Sequence, residues 1–94
     1  MSAREQAFAK LGMWLKEQTT LKLTVLAKEE QLRTYIVNVA SIDEDRCLVG
    51  FAIPRTRSFL PPICFGDASF EVGNRVLKAE RPAGDLLKCE EVSP

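Results

Sequence analysis

From residue 21 onward, apolar and polar residues exchange places with a period of two. Leu21, Leu23, Val25 and Ala27 alternate with Lys22, Thr24 and Leu26, the spacing of a strand that buries one face. Residues 33–42 follow with Tyr35, Ile36, Val37, Val39 and Ile42, side chains that suit a pleated surface. Residues 47–54 form a third apolar run. The polar segments between them, 28–31 and 43–46, are short, so the three runs are expected to pair antiparallel as a meander.

The N-terminal segment has a different period. Ser2-Ala3-Arg4-Glu5 matches a capping box, with Ser2 as N-cap and Glu5 at the third helical position. Phe8, Leu11 and Leu15 then recur at helical spacing, widened by Ala7 and Trp14, while Arg4, Lys10, Glu17 and Gln18 fill the other side. The pattern predicts a helix over 3–17, in spite of Gly12, whose apolar stripe covers an open end of the sheet and buries Trp14. A helix presented to a partner or to a membrane surface is the alternative. Thr19 and Thr20 end it by turning to β-branched chemistry.

Beyond Ile53 the texture changes. Pro54, Pro61 and Pro62 forfeit ladder donors, so 54–62 reads as a surface loop or bent edge segment carrying Arg55, Arg57 and Phe59. Three short strands follow at 63–65, 68–72 and 75–80, separated by the glycine-bearing pairs Gly66-Asp67 and Gly73-Asn74. A turn at 82–85 leads to a last edge strand at 86–92, and 93–94 are expected to fray. The fold expected is mainly β: a single domain over 1–94, an N-terminal helix, then a five- or six-stranded antiparallel small barrel of the SH3 or Sm type.

Composition narrows the chemistry. The 94 residues suffice for one domain, and a 46% hydrophobic content suffices for its core. No apolar run approaches the ~20 residues of a membrane helix, and the first residues lack the apolar stretch of a signal peptide, so a cytoplasmic protein without membrane contact is expected. Thirteen basic and thirteen acidic residues cancel, and any attraction for nucleic acid must come from local clusters. Cys47, Cys64 and Cys89 lack paired spacing, which points to reduced thiols rather than a disulfide framework or a zinc site. Histidine is absent, which removes the usual general base and any serine–histidine triad. Neither a nucleophile elbow nor a phosphate loop is present. A non-enzymatic chain without cofactor or metal is expected.

Two clusters remain as candidates. Asp43, Glu44 and Asp45 fall in an expected β-turn, where such residues bond local backbone; the spaced oxygen ligands of a calcium loop are missing. Arg55, Arg57 and Phe59 form a small version of the basic-plus-aromatic pattern that grips single-stranded nucleic acid. Arg75, Lys78 and Arg81 extend that patch if the loop folds over the last hairpin.

Two families are similar in part. The segment from Asp67 through Ser69 to Gly73 resembles the DxSxxG element of PilZ domains, with one residue more than that spacing and without a preceding RxxxR. Val39-Ala40-Ser41-Ile42-Asp43 with Cys47-Leu48-Val49 is similar to the first motif of the Sm-like family, its bacterial Hfq branch included. Glu71-Val72-Gly73-Asn74-Arg75-Val76 is similar to the second. Val72 stands where that family has an arginine, and 54–62 is an insertion. The Sm resemblance implies a homo-oligomeric ring that binds single-stranded RNA through the turns at 43–46 and 73–75, which makes Arg46, Asn74 and Arg75 candidates beside Arg55, Arg57 and Phe59. The alternative is a protein-interaction module acting through a sheet edge or the proline loop.

Overall fold

A computed structural model describes residues 2–27 and 31–92. Helix α1 spans Ala3–Glu17, as the stripe predicts. The Ser2 hydroxyl accepts from the Glu5 amide at 3.1 Å, satisfying one of the donors a helix start leaves open. Gln18 closes the other end in the left-handed region, and its amide donates to the Leu15 carbonyl.

Among the described residues, strands β1 (Leu21–Leu26), β2 (Leu32–Asp43), β3 (Leu48–Ala52), β4 (Ile63–Cys64), β5 (Ser69–Val72), β6 (Val76–Glu80) and β7 (Leu86–Glu91) form one antiparallel sheet. Its order is β4-β3-β2-β1-β7-β6-β5. The expected meander is present as β1-β2-β3, but the strand number and closure differ from expectation. There are seven strands rather than five or six, and the sheet does not close, because β4 and β5 have no ladder between them. The residues at 86–92 are not an edge either: β7 lies between β1 and β6. Periodicity marks a strand without saying which strand it pairs with, and this return to β1 is a long-range choice. The expected turn at 28–31 and the fraying of 93–94 fall largely outside the described residues.

Two features curl the sheet. A bulge between Val39 and Ser41 breaks the β2–β3 register, which bends a strand and adds twist. Pro61 and Pro62 then interrupt pairing along β3 between the Ala52–Phe59 bridge and β4, since proline has no N–H to give. The two edges approach without bonding: Phe65, just past β4, meets Phe70 of β5 with ring centroids 5.9 Å apart. Helix α1 packs against β5 and β2, with Phe8 edge-on to Phe70 at 6.2 Å.

The inner face carries Leu21, Leu23, Val37, Val39, Val49, Phe51, Leu77, Ala79, Leu87 and Cys89, and the helix adds Ala7, Phe8, Leu11 and Trp14. Burying one large apolar side chain is worth roughly 1.5–3 kcal/mol, so Phe8, Leu11 and Trp14 are enough to hold the helix down. Trp14 is 0% exposed. Its indole N–H donates to Glu91 at 3.0 Å, which satisfies the one polar atom the ring brings inside.

Candidate functional site

The candidate nucleic-acid residues lie in three places. Arg55, Arg57 and Phe59 share one tight hairpin beyond β3. There the Ile53 amide donates to the Ser58 carbonyl, the Thr56 hydroxyl donates to the Ile53 carbonyl at 2.8 Å, and Arg55 takes a positive φ of 65°. All three side chains are exposed, Phe59 to 69%. Leu60 turns inward against the core. Arg46 stands at the opposite end of β3, past five residues or roughly 17 Å of strand, and makes a loose surface pair with Asp43 at 3.9 Å.

Asn74 and Arg75 occupy the β5–β6 turn and are tied to neighbours. The Asn74 carbonyl accepts from Lys10 at 2.6 Å, and Arg75 pairs with Glu91 at 3.5 Å. Because β3 runs antiparallel to β2, the chain beyond Ala52 heads back along the first half of β2. Arg75 lies level with the start of β1, on the far side of β7. The fold does not gather these arginines on one face.

Near the helix start, Arg4 donates to the Gly66 carbonyl at 2.8 Å and touches the Cys47 sulfur. It bridges the link between β4 and β5 and lies 6.0 Å from the Phe8 ring centroid. Cys47 and Cys89 are buried, Cys64 is exposed, and all three are free thiols. Burial pushes the Cys89 thiol up to about 12, so it stays neutral and unreactive. Among the described residues no group of histidine, cysteine or carboxylate side chains is placed to hold a metal ion, and no helix is long and apolar enough to cross a membrane.

A different surface emerges from the register. On the outer face of the sheet, Leu32, Leu26, Leu86, Glu80 and Ser69 stand side by side across five strands, with Thr34, Thr24, Lys88, Lys78 and Glu71 in the next row. Ile36 lies on the same face of β2, and Phe59, bridged to Ala52 opposite Asn38, falls on it too. The large apolar residues most exposed to solvent therefore share one face: Leu32 at 64%, Ile36 at 49%, Leu86 at 43%, and Phe59. Leu26, Leu32, Leu86 and the charged side chains beside them line an open trough of about 490 Å³. Sequence reading passed over this surface. Its traces in the sequence are Leu26, an apolar residue on the polar phase of β1, and Ile36, out of phase with the buried Val37 on β2.

The chain matches no known family model, no curated protein and no solved structure.

Proposed function

We propose that the protein is a non-enzymatic assembly module that joins a second copy of itself through the outer face of the sheet. The observation that carries this reading is the shared facing of Leu32, Ile36, Leu86 and Phe59. Single exposed apolar residues need no explanation, whereas several on one face mark an interaction surface. The charges around them are self-complementary: Lys22, Lys78 and Lys88 alternate with Glu71, Glu80 and Glu90 on the same face. A two-fold contact sets each patch against its own copy, so balanced charge favours like meeting like. The sheet edges suit assembly less well, because β4 has only two residues and adjoins Pro61 and Pro62, and α1 packs on β5. Light scattering after size exclusion tests the reading. A dimer or larger is expected, with Ile36→Lys weakening association by roughly ten-fold or more, about 1.4 kcal/mol per decade. A monomer at high concentration overturns it.

A second reading is single-stranded RNA binding of the kind the Sm-like resemblance implies, favoured by the exposure of Arg55, Arg57 and Phe59 on one hairpin. Two guanidiniums would pair with phosphates while the ring stacks on a base. Fluorescence anisotropy across a salt series should then show Arg55→Ala/Arg57→Ala lowering the salt slope by about one unit per lost phosphate contact. Binding that the double change leaves unaltered, or none at low salt, removes this reading.

A further inference from the structure

We infer that the first half of β2, residues 32–36, is an open edge that docks an extended acidic segment of another protein as an added antiparallel strand. Besides its two terminal strands, the sheet is open at this third place. β2 has twelve residues, but β1 pairs with it from Leu32 to Val37 and β3 from Asn38 to Asp43. The β3 ladder stops at Ala52, and two residues on, level with Ile36, Pro54 has no N–H to offer. The hairpin between β1 and β2 fixes which groups are left over. The Ala27 amide donates to the Gln31 carbonyl, one step on from the Leu26–Leu32 pair. Antiparallel ladders alternate, so Arg33, Tyr35 and Val37 exchange bonds with β1. The N–H and C=O groups of Leu32, Thr34 and Ile36 point away from it, and among the described residues no other backbone group takes them up. Such a row of donors and acceptors is a template for a further strand.

The charge around this edge selects the occupant. Arg33 lies on the edge itself, exposed, and Pro54 opens the turn that carries Arg55 and Arg57. The segments that border the edge, 21–26, 31–42 and 46–66, contain no carboxylate. Among the described residues Arg33, Arg55 and Arg57 make no ion pair; Glu29 and Glu30, just before β2 in the chain, lie outside those residues. On an added strand the residue opposite Arg33 falls in a non-hydrogen-bonded pair, where side chains are closest, and a carboxylate there forms a favourable cross-strand pair. A second copy is the poorer occupant. Centred on Arg33, its β2 sets two guanidiniums opposite each other. Centred on Thr34, it brings Gln31 of the copy to Val37, the place that the β3 register gives to Ile53.

End-blocked Val-Glu-Val-Glu-Val and Val-Lys-Val-Lys-Val peptides test this by amide hydrogen exchange and fluorescence anisotropy. In the free protein the amides of Leu32, Thr34 and Ile36 should exchange fast and those of Arg33 and Tyr35 slowly. The glutamate peptide should slow the fast set and bind roughly ten-fold or more tighter than the lysine peptide, a preference that Arg33→Gln should reduce. Thr34→Pro removes one outward donor and leaves the β1 ladder intact, which an edge strand tolerates. It should weaken binding roughly ten-fold, whereas Thr34→Val should bind as the wild type does. N-methylation of the peptide's central valine should cause the same loss on the unaltered protein, and N-methylation of a glutamate should not, so the alternation is tested even if Thr34→Pro fails to fold. Glu29→Gln/Glu30→Gln should bind at least as well as the wild type. Protection that does not alternate, equal affinity for the two peptides, indifference to the valine N-methyl group, or weaker binding without Glu29 and Glu30 overturns the proposal. So does binding of single-stranded RNA in place of the glutamate peptide. The site rests on main-chain groups and is separate from self-association: Ile36→Lys should dissolve the dimer and leave the alternating protection in place, so each reading can fail without the other.

Discussion

Glu91, on β7, ties helix α1 and the β5–β6 turn to the sheet. It accepts from the Trp14 indole, pairs with Arg75, and has Lys10 nearby. The Trp14 hydrogen bond first, then the charges of Arg75 and Lys10, hold its carboxyl below the usual range against the opposing effect of burial. A lowered folded value means that this stability is fully present above the unfolded value of about 4.3 and is lost as pH falls through the folded one. The wild-type melting temperature should therefore drop on acidification, and Glu91→Gln should flatten that part of the profile. An identical acid profile for both proteins would assign the loss to other carboxylates. At the same scale, iodoacetamide followed by mass analysis should find Cys64 modified in the native state, with Cys47 and Cys89 protected until the protein is unfolded.

At the scale of one element, α1 carries a correctable weakness. A Cβ added at Gly12 meets nothing within 4 Å, and the residue has no positive φ to protect. Glycine in a helix interior costs up to about 1 kcal/mol against alanine. Gly12→Ala should therefore raise the melting temperature by roughly 4–8 °C per kcal/mol gained in a domain of this size; a fall would mean that the position is tighter than its surroundings show. Gly84 is the contrary case. It closes the β6–β7 turn with φ at 99°, and its amide donates to the Arg81 carbonyl at 2.8 Å. Alanine there is strained and should destabilise by about 1 kcal/mol or more, seen as a lower denaturant midpoint.

The whole molecule depends on burial rather than on staples. Its cysteines are free, and among the described residues no buried side-chain polar atom lacks a hydrogen bond. Chelator and reductant together should leave the far-UV CD spectrum and the melting temperature unchanged; a collapse of either would reveal a cross-link or ion that the fold requires. The core draws on every strand except β4 and β5, and those two contribute Ile63, Phe70 and Val72 at its margin. The helix holds this open sheet together where its edges fail to meet. Trp14→Ala should accordingly cost on the order of 3–5 kcal/mol, enough to unfold a domain of marginal stability and measurable by urea denaturation.

Local chemistry was enough to place most elements. The capping box and the Phe8–Leu11–Leu15 stripe located α1, and alternation located β1, β2 and β3, because periodicity records which side of an element faces away from water. The buried Trp14 was legible for the same reason. Strand order was not. The pairing of β7 with β1 joins residues sixty to seventy apart, and alternation carries no address for a partner. Closure was illegible too, since it depends on the bulge at Val39–Ser41, the break at Pro61 and Pro62, and the helix wedged beside β5. The site shows the division most plainly. Arg55, Arg57 and Phe59 could be grouped because they are neighbours in the chain. The outer face assembles Leu26, Leu32, Leu86, Lys78 and Lys88 from four strands, and only the register that sets those strands side by side makes them one surface.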